Sequence, residues 1–223
     1  MCGRFALNEN PLKIAEHFKL SGEVNLSPSF NIAPSLKIAT ITDDAEGERH
    51  LTKMRWGLIP SWAKDASIGN KLSNARGETV AEKPSFRSAF KYRRCLIPAS
   101  GFYEWKTDKS IKYTWYISLK SGDPMAFAGL FEAWQPAEGE AIHTCCIITT
   151  AANTLMESIH DRMPVILNPD QWDTWLSPTE RQVDKLTHLI ASYASESMQA
   201  WPVSRELNRV GLRNDAGLIE PIS

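Results

Sequence analysis

The residue of this chain with the most distinctive chemical potential is Cys2. Its side chain is small, so trimming of Met1 is expected, and the new terminus would carry an α-amine and a thiol on adjacent carbons. An α-amine has a pKa of about 8, against about 10.4 for lysine, and so supplies far more free base at neutral pH. A free amine attacks an aldehyde to give an imine. The neighbouring thiol, with an unperturbed pKa of about 8.5, is placed to add to that imine and close a five-membered thiazolidine. An internal cysteine cannot do this, because its nitrogen is an amide. Two other readings stand beside it: Cys2 is a small buried residue behind a retained Met1, or it is the nucleophile of an amidohydrolase, its thiolate attacking a carbonyl with the amine as base. The opening Met1-Cys2-Gly3 does not separate them.

Several polar residues stand out elsewhere. Glu104 sits in the aromatic run Phe102-Tyr103-Glu104-Trp105, where desolvation would raise its pKa and fit it for proton transfer. The alternative is a carboxylate pointing out of a strand with alternating faces. In Ile159-His160-Asp161-Arg162-Met163-Pro164, His160 is a candidate proton carrier or hydrogen-bond donor and Arg162 a candidate phosphate grip, against a capped helix end with a salt bridge. Ser73-Asn74-Ala75-Arg76-Gly77-Glu78 reads as a helix start, with Asn74 as an N-cap or a positioning amide and Arg76 as a second phosphate contact. Trp62 follows a turn and could stack on a base or be core. Arg87, Lys91, Arg93 and Arg94 form a basic run of the kind that is usually solvated.

The elements that must position these residues are mostly strands. Short β-like runs cover Leu36–Ile41, Leu51–Trp56, Cys95–Pro98, Phe102–Trp105, Tyr113–Ser118, Met125–Phe131 and Ile142–Thr149, with a last strand at Ala200–Ser204. Asn10-Pro11 starts a helix with Leu12, Ala15 and Phe18 on one face. Further helices are expected from Ala151 towards His160, over Asp170–Leu176 and over Pro178–Ala194. Helices do not alternate with strands, which predicts an α+β domain, not a doubly wound sheet. Ser61–Lys71 and Gln135–Glu140 read as surface loops, and nothing marks a domain boundary, so a single domain over 1–223 is expected.

Composition narrows the function. The 223 residues are 43% hydrophobic with eight tryptophans, enough for a sizeable core. No run approaches the roughly 20 apolar residues of a membrane span, and the N-terminus lacks a signal-peptide core, so a cytoplasmic protein is expected. The four cysteines lack CxxC spacing and read as free thiols. His143 and Cys145 would share a strand face, but β-strand core is the better reading, so no metal and no cofactor is expected. The net charge of −1 announces no nucleic-acid partner by itself. Its distribution is uneven: residues 1–120 carry 19 Lys and Arg against 12 Asp and Glu, and residues 121–223 carry 6 against 14. The first half could therefore build a basic face for phosphates.

Taken together, the ordered segments resemble the SRAP family, the SOS response-associated peptidases. The matching pieces include Met1-Cys2-Gly3-Arg4-Phe5, Phe30-Asn31-Ile32-Ala33-Pro34, Trp56-Gly57-Leu58-Ile59-Pro60 and Asn74-Ala75-Arg76-Gly77-Glu78-Thr79. Arg94-Cys95-Leu96-Ile97-Pro98, Gly101-Phe102-Tyr103-Glu104-Trp105, Phe127-Ala128-Gly129-Leu130, Ile159-His160-Asp161-Arg162-Met163-Pro164 and Trp201-Pro202-Val203-Ser204 complete the set, which spans nearly the whole chain. The resemblance implies an α+β domain with a curved, barrel-like mixed or antiparallel sheet flanked by helices, and a cleft for single-stranded DNA. It implies that Cys2 forms a thiazolidine with C1′ of an abasic deoxyribose, in a monomeric protein that meets the nucleoid during DNA damage. By position, it makes Glu104 the acid/base residue. Asn74 then orients Cys2 or the sugar, and His160 assists at the opened sugar. Arg4, Arg76 and Arg162 hold phosphates with Thr149 nearby, and Pro34 and Trp62 flank the lesion. Self-release of Met1 would explain the peptidase name. One departure is Ala63, where some relatives carry an aromatic residue after the position of Trp62.

Three rival functions follow from the same residues. An N-terminal-nucleophile amidohydrolase would hydrolyse a small amide. A non-covalent single-strand binder would leave Cys2 incidental. A protease acting on other proteins would need a substrate groove that the sequence does not display.

Overall fold

The computed structural model describes residues 2–208 and 213–222. Met1, on which the expectation of terminal trimming falls, lies outside the described residues. In chain order the elements are β1 (Phe5–Leu7), α1 (Pro11–Phe18), β2 (Ser29–Ile32), β3 (Lys37–Asp43), β4 (Arg49–Trp56) and β5 (Asn74–Arg76). Then come α2 (Arg87–Tyr92), β6 (Arg94–Ala99), β7 (Gly101–Asp108), β8 (Ile111–Leu119), β9 (Met125–Trp134) and β10 (Ile142–Ala151). The chain closes with α3 (Thr154–Glu157), β11 (Arg162–Pro164), α4 (Trp172–Leu176), α5 (Val183–His188) and β12 (Met198–Val203).

Two sheets organise the fold. The first is antiparallel, in the order β12-β8-β7-β1-β2. The second closes on itself: β4 pairs β3, β3 pairs β6, β6 pairs β9, β9 pairs β10, and β10 returns to β4 in parallel through Thr144↔Arg55 and Cys145↔Trp56. Closure leaves these five strands no free edge, and their inward faces fill a core. It also explains why β6 and β9 read as nearly continuous apolar runs: both faces of each are largely buried. The α+β class and the barrel-like sheet expected from the sequence are both present.

β1 is a central strand of the first sheet, although it is only three residues long. Its Phe5 is buried edge-on against Trp56 of β4 at 5.2 Å and Phe127 of β9 at 6.0 Å, so the N-terminal segment is wedged between the two sheets. A smaller apolar cluster, with Tyr103, Tyr116, Val203, Leu207 and Leu218, covers the other face of the first sheet. No helix among the described residues is long and apolar enough to cross a membrane.

The seven strand runs from Leu36 to Thr149 and the last strand at Ala200–Ser204 are found with ends shifted by at most three residues. The helices need more correction. α1 is capped by Asn10, whose side chain accepts from the Leu12 N–H at 2.8 Å. Its buried face, however, is Ile14 and Phe18, and Leu12 is 72% exposed. The helix expected from Ala151 is a single turn, Thr154–Glu157, because β10 continues through Ala151 to pair with Arg162. The helix expected over Pro178–Ala194 is confined to Val183–His188. The segment at Asn74 is a strand, not a helix start, because Ile147, Ile148 and Thr149 of β10 pair with it in parallel. Ser61–Lys71 holds a 3-10 helix over Ala66–Lys71. In the basic run, Arg94 is buried and donates to the carbonyls of Phe90, Lys91, Trp175, Ser177 and Glu180. It pins α4 and the segment after it to β6.

Gly57, just past β4, sets how closely the 61–71 segment approaches the barrel. Its φ is +137°, and a Cβ there would lie 2.5 Å from the Gly69 carbonyl oxygen. The Gly57 N–H donates to the Cys145 carbonyl at 2.8 Å, which fixes the turn against β10. Both the dihedral and the contact forbid a side chain, so Gly57→Ala is expected to lower the unfolding free energy by about 2–4 kcal/mol. Urea denaturation checks this, and a midpoint equal to wild type would refute the close-approach argument.

Candidate active site

The candidate residues meet at the seam between the sheets. The Tyr103 N–H of β7 donates to the Arg4 carbonyl at 2.9 Å, and Phe5 pairs with Phe102. This runs the chain leading into β1 alongside Glu104. From the other sheet, Asn74 Nδ2 donates to the Cys2 carbonyl at 2.9 Å and approaches Ser73 Oγ at 3.3 Å. Cys2 is thus strapped between β7 and β5. Asn74 Oδ1 is buried and has no hydrogen-bond partner among the described residues, so one acceptor of this side chain is unsatisfied.

Glu104 is 2% exposed. Burial pushes its carboxyl up to about 7, with Asp161 adding in the same direction. The acid and its conjugate base therefore coexist near neutrality, which suits a group that must both give and take a proton. Burial, reinforced by the Glu104 charge, also drives the Cys2 thiol far above its ordinary range. The thiol is held as S–H until a base takes its proton.

His160 lies in the turn before β11. Its Nδ1 accepts from the Arg162 backbone N–H at 2.9 Å and also lies 3.0 Å from Asp161 Oδ1. One ring nitrogen cannot accept from the amide and donate to the carboxylate at once. The amide bond decides between them, because Asp161 is mostly in solvent and burial lowers the His160 pKa. His160 is accordingly a neutral imidazole with its proton on Nε2, which makes that nitrogen a donor.

The second half of β10 is the spine that brings Asn74, Arg76 and Arg162 together. Along one edge Ile147 pairs with Asn74 and Thr149 with Arg76; along the other Ala151 pairs with Arg162. Thr149 itself is fully buried and donates to the Ala75 carbonyl at 3.4 Å. Expected beside the phosphate-holding arginines, it supports β5 and accepts from Arg162 through its carbonyl at 2.8 Å. Arg162 also forms a two-pronged ion pair with Glu78, so a phosphate must share it with that carboxylate. Arg4 is committed to Asn31 Oδ1 and the Leu207 carbonyl. Arg76 is exposed, with no hydrogen bond or ion pair among the described residues, and lines a cavity of about 310 Å³ with Asn74. Pro34 is half-buried. Trp62 is 57% exposed, and its Nε1 donates to the Pro84 carbonyl at 3.3 Å, so the ring is held while much of it faces solvent. Sequence reasoning missed Asn31 as the anchor of Arg4, and it took Glu78 for a helix-start residue rather than the partner of Arg162; neither pairing, 27 and 84 residues apart, leaves a local signal.

The fold and site together define a class: a cysteine at position 2 buried at a sheet seam beside an acid whose pKa burial raises to about 7. The profile of the SOS response associated peptidase (SRAP) family matches residues 1–210, and the chain belongs to that family. Among its relatives is the abasic site processing protein YoqW of Bacillus subtilis, 49% identical over 212 residues, covering 93% of this chain and 94% of YoqW. The abasic site processing protein HMCES of Xenopus tropicalis is 34% identical over 192 residues, covering 74% of this chain and 56% of HMCES. A crystal structure of a protein from Bacteroides thetaiotaomicron superposes with a TM-score of 0.89 at 26% identity, covering 100% of both chains.

The Glu104 environment has a measurable consequence for stability. Its folded pKa of about 7 lies above the ordinary carboxyl value of 4.5, so the native state holds a proton that the unfolded chain releases. Stability is greatest below about pH 4.5, falls as the pH rises through 7, and then levels off with respect to this group, a loss of ~3 kcal/mol. Glu104→Gln is expected to remove that decline and to melt higher than wild type at pH 8 but not at pH 4.5. Parallel pH dependences of the melting temperature in the two proteins would show that Glu104 ionises freely.

Proposed function

We propose that this chain processes abasic sites in single-stranded DNA by covalent capture on Cys2. The observation that carries the reading is the Cys2 carbonyl tied to Asn74 in the same buried seam as a Glu104 poised near pH 7. The names of the relatives YoqW and HMCES support the substrate.

The steps follow from the side chains. Hydrolysis of the Met1–Cys2 bond frees the Cys2 amine, and self-release is the peptidase activity this reading assigns. An abasic deoxyribose equilibrates between a closed hemiacetal and an open aldehyde; protonated Glu104, with the His160 Nε2–H as a second donor to the sugar oxygen, favours the open form. The amine attacks C1′ to give a carbinolamine. Glu104 protonates the hydroxyl, which leaves as water, and an iminium forms that keeps the amine's remaining N–H. Glu104, now a carboxylate, takes the thiol proton and is restored as the acid; sulfur adds to C1′, and the iminium nitrogen becomes a neutral secondary amine. The product is a thiazolidine with one water released. Asn74 holds the amine's residue in place through the Cys2 carbonyl, and its unsatisfied Oδ1 accepts from the amine or a sugar hydroxyl. Arg76 supplies the exposed cation for a phosphate, Trp62 and Pro34 flank the lesion, and Arg4 and Arg162 shape the site with phosphate contact shared.

Ring closure protects the strand. An imine acidifies the C2′ proton and permits β-elimination of the 3′ phosphate, whereas the thiazolidine nitrogen is no longer an iminium. Single strands are preferred because pairing and stacking bury C1′, and extruding a nucleotide costs a few kcal/mol.

Intact-mass analysis of the protein mixed with a uracil-excised single-stranded oligonucleotide tests the reading. The expected species lacks Met1 and carries the oligonucleotide less one water; a protein that keeps Met1, or binds without a denaturation-resistant adduct, overturns it. A glutaminase assay on the same preparation is expected to be silent, and turnover there would favour the amidohydrolase. Cys2→Ala keeps an amine without a thiol and is expected to stop at the imine and nick the strand. Adduct formation should be bell-shaped in pH. It rises as the amine, with a pKa of about 8, loses its proton and falls as Glu104 loses its own above about 7. In Glu104→Gln the alkaline fall should vanish and the rate should drop by roughly 10²-fold or more.

A further inference from the structure

We propose that Lys71 and Lys83, working with Arg76, form a phosphate track that carries one flank of the single strand from the Asn74 end of the site to Trp62. The inference rests on the reading above and assigns two residues and a path that it does not contain.

The cavity of about 310 Å³ that begins at Asn74 and Arg76 is also lined by Lys71 and Lys83. Lys71 lines a second cavity too, of about 490 Å³, whose walls include Trp62, Ala63 and Lys64. One lysine shared by two cavities makes them consecutive stations. Four cations face this path and one carboxylate, Asp65, which is satisfied by the Ser67 N–H at 2.9 Å and hydroxyl at 2.8 Å. Lys71, Arg76 and Lys83 have no ion pair among the described residues. In a chain of net charge −1, three adjacent cations on concave walls, none in an ion pair among the described residues and Arg76 reached only at longer range by the Glu78 carboxylate, are the arrangement that a phosphodiester chain neutralises.

The backbone presents these lysines from fixed positions. Lys71 ends the 3-10 helix whose Gly69 is pressed on Gly57, and the Leu58 N–H donates to the Leu72 carbonyl at 3.0 Å. The Lys83 N–H donates to the Thr79 carbonyl at 3.0 Å, and its own carbonyl accepts from Phe86 and Arg87 at 2.9 Å each. Trp62 reaches across to the carbonyl of Pro84, the residue after Lys83, and so joins the two walls. Beyond Lys71 the small side chain of Ala63 leaves the space beside Trp62 open for a base.

The test uses the full chain and the Lys71→Ala/Lys83→Ala double variant, with a single-stranded oligonucleotide carrying an unreactive tetrahydrofuran abasic analogue. Each phosphate contact on a single strand contributes about 0.7 to the slope of log K against log salt, so losing two should flatten that slope by about 1.4. Adduct formation at subsaturating DNA should slow at least 10-fold, while the rate at saturating DNA and the melting temperature stay at wild-type values. Oligonucleotides truncated on one side of the lesion should give the wild type the same defect for one truncation only, and the variant should be insensitive to it. An unchanged salt slope, or a variant as sensitive as wild type to both truncations, overturns the track. Competition by inorganic polyphosphate equal to that of the oligonucleotide would also overturn it, by showing a general polyanion site. Failure of the covalent reading is separate: wild type would then form no adduct, while the salt slopes with the unreactive analogue still report on the two lysines.

Discussion

The hydrogen bond from Asn74 to the Cys2 carbonyl is the constraint on which the site depends, because it ties a chain terminus on one sheet to a strand on the other. Termini ordinarily fray, since few contacts oppose their conformational entropy. Here the segment continues into a central strand, Phe5 is wedged against Trp56 and Phe127, and the backbone just before it is held on both sides. Cys2 is thereby built onto rigid elements, as the proposed capture requires, because small displacements would cost orientation. Asn74 can do this only because β10 pairs with β5, and β10 is long enough because its first half is locked into the closed barrel.

In the proposed mechanism, burial sets the order of chemical events. The same dehydrated seam raises both the Glu104 carboxyl and the Cys2 thiol, so sulfur would wait for a base while the amine acts first. In that scheme an acid near neutrality would supply a proton for loss of water and accept one from sulfur afterwards, so that a single group serves both steps. His160 is neutral for a related reason: its Nδ1 is occupied by an amide and its ring is partly buried, leaving Nε2–H as a donor.

The cations divide by what already holds them. Arg94 is a structural clamp of backbone carbonyls, Arg4 braces Asn31, and Arg162 is paired with Glu78. Arg76, Lys71 and Lys83, by contrast, line a cavity with no ion pair among the described residues. A net charge near zero thus conceals a local field, and that field is where an anionic strand gains most.

The sequence by itself determined the strands whose apolar patterning runs for four or more residues, the α+β class, and the family through its ordered motifs. It also singled out Cys2, Asn74, Glu104 and His160, since their chemistry is unusual for their local setting. It did not show the three-residue strands β1, β5 and β11, which are too short for a period and exist because a longer strand pairs with them. For the same reason Asn74 looked like a helix cap. The tertiary structure alone decided which arginines are engaged, that Thr149 faces inward, and that Lys71 joins two cavities. These are matters of contact between residues distant in the chain, and local propensity carries no record of them.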